Sequence, residues 1–203
     1  GVFYQRFILG EWVLSEGLVY DFGEDNIVDD VPSNGEYYIS IDYGTMNPFS
    51  AGLWCVLGDK AVRIKEYYYN GREKAVQRTD EDYCDSVEEL AKGYNIRQVI
   101  VDPSAASFIA ALRKRGFAIR KANNDVLDGI RRTAVYLKNG NIKIHRSCVD
   151  SIAEFGLYRW DDKATADTVI KENDHAMDDI RYFCNTIMKN KVRKESNYTP
   201  IFM

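Results

Sequence analysis

The run Tyr37-Tyr38-Ile39-Ser40-Ile41-Asp42-Tyr43-Gly44 decides the fold. Aromatic and β-branched residues suit a pleated, half-buried surface, and this run ends in a carboxylate followed by a glycine. It predicts a strand over 36–43. Two more strand-like stretches follow at 50–57 and 60–69, with Gly58-Asp59 as a tight hairpin between them. Alternation in Val62-Arg63-Ile64-Lys65 gives the third strand one covered face. Further along the chain the period changes. A helix is predicted from about 79, with Thr79 as its cap, Asp82 at the capping-box position, an apolar face of Tyr83, Val87, Leu90 and Ala91, and Gly93 as its stop. After it the reading is a strand at 97–102, a helix at 104–115 stopped by Gly116, a short strand at 117–120 and a helix at 125–138. An edge strand at 141–144, a helix at 149–158, a polar loop at 161–174 and a strong helix at 175–190 complete it. Three meandering strands followed by strand–helix alternation describe an α/β domain: a mixed central sheet with helices on both faces.

Composition bounds the rest. The 203 residues suffice for one domain with appendages, and 45% hydrophobic and 13% aromatic residues supply a core. No apolar run reaches membrane-spanning length. The sequence opens Gly1-Val2-Phe3-Tyr4 without Met or a signal-peptide pattern, as expected of a fragment. Cys55, Cys84, Cys148 and Cys184 lack metal-type spacing and read as reduced core residues of a cytosolic protein. A net charge of −4 does not announce a nucleic-acid binder, but the average hides a pattern. Asp21, Glu24, Asp25, Asp29 and Asp30 are followed much later by Arg113-Lys114-Arg115, Arg120-Lys121, Arg131-Arg132 and the lysines of 189–194. A clustered basic face matters more to phosphate binding than net charge does. There is no GxxxxGK[ST], hence no phosphate loop in this chain.

Three aspartates carry the candidate chemistry. Asp42 ends the first strand, Asp102 ends Gln98-Val99-Ile100-Val101, and Asp178 lies in His175-Ala176-Met177-Asp178-Asp179-Ile180-Arg181-Tyr182. A carboxylate just past a strand stands over the sheet end, where open α/β sheets build their sites. Three converging carboxylates bind hard divalent cations through oxygen, and two such cations drive phosphodiester hydrolysis. Asp42 alone also reads as a turn former and Asp102 as a helix cap. His175 and Asp178 share a helix face, while Asp179 is turned away, so the choice between Asp178 and Asp179 stays open. His145 reads as structural. Lys121, Asn124 and Arg131 around a polar loop, and Lys163 and Lys171 in the 161–174 loop, are candidate phosphate contacts or ordinary surface.

Taken in order, these pieces resemble the C-terminal nuclease domain of the large terminase subunit of tailed bacteriophages, with its ribonuclease-H-like sheet. Arg6-Phe7-Ile8-Leu9-Gly10-Glu11-Trp12 is similar to the segment joining the packaging ATPase to the nuclease. Ile41-Asp42-Tyr43-Gly44 and Val101-Asp102-Pro103-Ser104 resemble the first two acidic motifs, and Asn124-Asp125-Val126-Leu127-Asp128-Gly129-Ile130-Arg131 the interior signature. The His175–Tyr182 stretch resembles the third motif, His-x-x-Asp-Ala-x-Arg-Tyr, with Asp179 where the family has Ala. The resemblance implies a linker segment over 1–35 from a missing N-terminal ATPase domain, a nuclease domain over 36–190 and a charged tail over 191–203. It also implies an endonuclease that cuts concatemeric double-stranded viral DNA at the start and end of genome packaging. Two divalent cations, Mg2+ or Mn2+, would be held by Asp42, Asp102 and Asp178, with Asp179 as the alternative and His175 orienting water or phosphate. The implied partners are DNA, the ATPase domain, the small terminase subunit and the procapsid portal, and no membrane; the implied place is the cytoplasm of the infected bacterium, at the portal. The rival readings are another ribonuclease-H-like nuclease of resolvase or transposase type, and a non-catalytic DNA-clamping or procapsid-docking module.

Overall fold

The computed structural model describes residues 17–45 and 47–195; residues 1–16 of the expected linker segment and 196–203 of the expected tail lie outside them. Seven strands form one mixed sheet: β1 (Ile27–Val28), β2 (Glu36–Asp42), β3 (Phe49–Leu57), β4 (Lys60–Tyr69), β5 (Ile96–Val101), β6 (Ile119–Lys121) and β7 (Ile142–His145). Their order is β1-β7-β4-β3-β2-β5-β6. β2, β3 and β4 pair antiparallel; β5 joins β2 in parallel and β6 joins β5. The three meandering strands thus begin within one residue of their expected positions. The strand near 141–144, expected at an edge, lies inside the sheet. Residues 27–28, too short to show a period, add a parallel strand outside it.

Period-two alternation sorts β2 between two cores. Ile39 and Ile41 point to the face covered by the helices Asp80–Ala91 and Ala106–Lys114. Tyr38 points to the other face, with Trp54, Ile100 and Phe183. Ser40 and Asp42 share its parity. That second face is covered by the helices Val126–Lys138, Val149–Phe155 and His175–Phe183. Tyr20, Phe22 and Ile27 are buried in the same core, so the described part of the expected linker packs on this domain. Phe22 stacks on Phe155 with ring centroids 4.0 Å apart.

Thr79 caps its helix as expected, its hydroxyl accepting from Asp82 N while Asp82 accepts from Thr79 N. The helix expected over 149–158 stops at Phe155. The expected helix 175–190 is α-helical only to Phe183; Cys184–Met188 form a π turn before the helix resumes at Lys189–Glu195. Every residue from Ala176 to Met188 is buried. All four cysteines are buried and unpaired, as read from their spacing.

Candidate functional site

Asp42 and Asp102 stand side by side because β2 and β5 run parallel, with Ile41 paired to Val101 one residue earlier on each. Both strands end at the same edge of the sheet. The His175–Phe183 helix lies over this edge. His175 Nδ1 donates to Asp42 Oδ2 at 2.9 Å. Two turns on, the Tyr182 hydroxyl reaches Asp42 Oδ1 at 3.5 Å and also bonds Asp102. Asp178 lies between them on the helix, near enough for its charge to act on Asp42. The structure therefore brings Asp42, Asp102, Asp178 and His175 to one place.

Their electrostatics differ. Burial pushes the Asp42 carboxyl up to about 6, against the His175 hydrogen bond and with help from the Asp178 charge. Burial also lifts Asp102, but hydrogen bonds from Ser104, Asn124 and Tyr182 outweigh it and hold that carboxyl below its ordinary value. Burial pulls His175 down, yet the bond to Asp42 and the charges of Asp42, Asp174 and Glu154 leave it raised. Both members of the His175–Asp42 pair are thus raised, Asp42 by burial and His175 by the carboxylates around it. Burial raises the Tyr182 phenol, and the charges of Asp42 and Asp178 raise it further.

Asp178 and Asp179 part company. Asp178 Oδ1 accepts from Arg181 Nη2 at 2.9 Å and Nε at 3.3 Å; its Oδ2 has Lys171 Nζ at 3.5 Å. Asp179 faces the sheet and is fully buried. Arg63 holds it with both guanidinium nitrogens, at 2.5 and 3.0 Å, and the hydroxyls of Ser40 and Ser50 donate to it. Trp54 Nε1 completes the network on Ser40 Oγ. Gly52 makes room for this pair, since a Cβ there would stand 1.7 Å from Arg63 Nη1. All these partners of Asp179 are buried, so its carboxylate is committed to Arg63 and the two serines, although Ser50 pairs with Asp42 across the strands and the Asp179 charge reaches Asp42. Gly44, just after Asp42, is required by its own turn: a Cβ would meet Asn47 O at 2.6 Å.

Of the expected phosphate contacts, Asn124 and Lys171 join the site. Asn124 Nδ2 donates to Asp102 Oδ2 at 3.0 Å, and Lys171 reaches Asp174 and Asp178. Lys121 is exposed at the end of β6, paired to Val101 and so beside Asp102. Arg131 and Lys163 are exposed elsewhere, on the Val126–Lys138 helix and in the 161–174 loop. Two of the basic residues are neutralised at home: Arg115 by Glu81, Asp85 and Glu88, and Arg132 by Asp128.

Residue-by-residue reading missed Tyr182, Arg181 and Glu154. Spacing could have found Tyr182, which lies seven residues after His175 on the same helix face. Glu154 carries no such signal. From the Val149–Phe155 helix its buried carboxylate accepts from Ala176 N at 2.7 Å and Met177 N at 3.3 Å, capping the site helix. Tyr68 donates to its other oxygen. Burial pushes Glu154 up to about 7 against these bonds.

The donor chemistry suits a hard divalent cation: carboxylate oxygens gathered at one sheet end. Among the described residues no three acidic, His or Cys side chains stand, as placed, close enough to enclose a metal ion. Asp42 and Asp178 are instead turned to His175, Arg181 and Lys171. A cation on Asp178 Oδ2 would require Lys171, on its exposed loop, to give up that oxygen.

A mixed sheet of this order, with carboxylates gathered at the shared ends of two parallel strands, defines the ribonuclease-H-like class. The chain belongs to the terminase RNaseH-like domain family, whose model matches residues 39–186, and so to the C-terminal nuclease domains of large terminase subunits. It is 25% identical over 164 residues to the large terminase subunit of Escherichia phage T5, covering 77% of this chain and 36% of that protein. The large terminase of a thermophilic bacteriophage, solved with ADP, superimposes with a TM-score of 0.82 at 46% identity, over 93% of this chain and 49% of that one. The nuclease domain of bacteriophage SPP1 large terminase, solved with bound Mn, superimposes with a TM-score of 0.55 at 18% identity, over 77% of this chain and 92% of that one. The chain thus spans about half or less of the phage T5 and thermophilic-phage proteins. Among the described residues no helix is long and apolar enough to cross a membrane.

Proposed function

We propose that this domain is a divalent-metal-dependent endonuclease that cuts concatemeric double-stranded viral DNA at initiation and termination of packaging. The observation that carries the reading is Asp42. It is a part-buried carboxylate with a raised pKa, set beside Asp102 by strand register and facing Asp178 from the covering helix. Asp42, Asp102 and Asp178 would hold two divalent cations, Mg2+ or Mn2+; the Mn in the SPP1 nuclease domain supports this. Bound there, the metal supplies a water that ionises at neutral pH and a counter-charge for the leaving oxygen. The chain's own residues do the rest. Tyr182 and Asn124 fix Asp42 and Asp102, and His175 keeps a proton beside Asp42 with which to orient water or the scissile phosphate. Lys121, Asn124, Arg131, Lys163 and Lys171 would meet the DNA backbone, giving binding with little base preference. Asp178 is the third ligand in this account, because Asp179 is committed to Arg63. The longer relatives from phage T5 and the thermophilic phage support an ATPase domain on the same polypeptide. A small terminase subunit, the portal and the cytoplasm of the infected host complete the setting.

Nicking of supercoiled plasmid with Mn2+ tests the reading. The expected result is cleavage that EDTA abolishes and that Asp42→Ala, Asp102→Ala and Asp178→Ala each remove. Plasmid binding without metal-dependent cleavage would favour the clamping or docking module instead.

A further inference from the structure

We propose that Arg181 is a positioning residue of this site: it clamps the helix ligand Asp178 to the loop that holds Asp102, and so sets the spacing of the two carboxylates. The inference rests on the metal-dependent reading above and extends it to a residue outside the ligand set. Arg181 is 2% exposed. Nη1 donates to the carbonyls of Asn124 at 2.8 Å and Asp125 at 3.1 Å. Nε and Nη2 both go to Asp178 Oδ1, which leaves Oδ2 turned outward, met among the described residues by the displaceable Lys171. The loop so gripped carries Asn124, whose side chain bonds Asp102 Oδ2. One planar fork therefore touches both halves of the site, as a point charge on a flexible stem cannot.

Two further features serve the same grip. The π turn at Cys184–Met188 brings Thr186 Oγ1 to accept from Asn123 N at 2.9 Å and Asn185 Nδ2 to donate to Asn123 O at 3.3 Å, pinning the loop from the next turn of the same helix. Gly129 leaves a channel for the arginine stem: a Cβ there would stand 2.6 Å from Arg181 Cγ and 2.9 Å from Cδ. Those atoms are mid-chain in a buried side chain and have nowhere to step aside.

Partners that orient a metal ligand change metal affinity roughly 10–100-fold when removed. The test measures Mn2+ binding to the 203-residue chain without DNA, by loss of the free-ion EPR signal, alongside melting curves and plasmid nicking. Arg181→Lys keeps the charge and loses the fork; Gly129→Ala keeps every charge and displaces the stem. Both are expected to weaken Mn2+ binding roughly tenfold or more and to raise the Mn2+ needed for half-maximal nicking in step. A merely structural role would lower melting temperature and nicking amplitude while Mn2+ affinity in the folded protein stays at the wild-type value, and that result overturns the proposal. Wild-type binding from Arg181→Lys with Gly129→Ala unaffected overturns it too. If wild type itself binds no Mn2+, the metal-dependent reading fails and this inference with it; if wild type binds and the variants match it, only the inference fails.

Discussion

Asp42 is the residue on which the proposed chemistry turns. Its raised pKa means that the folded chain favours the neutral acid. The stability this group contributes is present in acid and is lost as pH rises from 3.8, the ordinary value, through about 6. Metal requires the ionised form, so Mn2+ binding and nicking should rise with pH, with a midpoint near 6. His175→Ala removes the hydrogen bond and positive charge that hold Asp42 down, and should move that midpoint to higher pH. A pH profile of nicking checks this; an unmoved midpoint would free Asp42 from His175. The adjacent pair Asp178 and Asp179 makes a second prediction. Asp179→Ala takes from the buried Arg63 guanidinium both of its short carboxylate contacts, leaving Glu66 at 3.7 Å as counter-charge, and should cost up to about 3–5 kcal/mol in urea unfolding. Asp178→Ala should cost much less, because Arg181 keeps two carbonyl acceptors. Equal losses would contradict the separation of the two roles.

At the scale of elements, the site is one helix laid across two strand ends, and Glu154 fixes where that helix starts. An acid raised to about 7 by burial contributes stability below its ordinary value of 4.5, and that contribution is lost as pH climbs to about 7. Glu154→Gln keeps a carbonyl oxygen for the helix amides and cannot ionise. Its stability relative to wild type should therefore improve between pH 4.5 and about pH 7, read from urea midpoints. Parallel curves would show that Glu154 titrates at its ordinary value in the folded chain. The strands were legible in the sequence because each is long enough to show its period, and Asp42 and Asp102 because they end such runs. The β1 strand was not, since two residues carry no period. The π turn was not either: Cys184–Met188 are buried, apolar or small, and compatible with an ordinary helix. Glu154 lies among Ile152, Ala153 and Phe155, where its burial depends on contacts more than twenty residues away. The commitment of Asp179 to Arg63 needed Arg63, Gly52 and both serines in place, which only the folded sheet supplies.

The whole molecule joins a two-faced sheet to a single acidic edge, and its charge follows the same plan. Arg115, Arg132 and Arg146 are spent on neighbouring carboxylates, while Lys121, Asn124 and Lys171 gather around Asp102 and Asp178. A negative net charge is thus compatible with a local surface for DNA at the place where the carboxylates meet. The central claim is that Asp42, Asp102 and Asp178 together hold the cation. The direct measurement is a crystal structure of the domain soaked in Mn2+, with the ion located by its anomalous scattering. The account predicts Mn2+ at the shared ends of β2 and β5, with oxygens of Asp42 and Asp102 within the roughly 2.0–2.6 Å reach of hard-cation coordination and Asp178 Oδ2 drawn in from Lys171. An anomalous map with no ion at this edge under saturating Mn2+, and Asp42 and Asp178 still paired to His175 and Arg181, would contradict it.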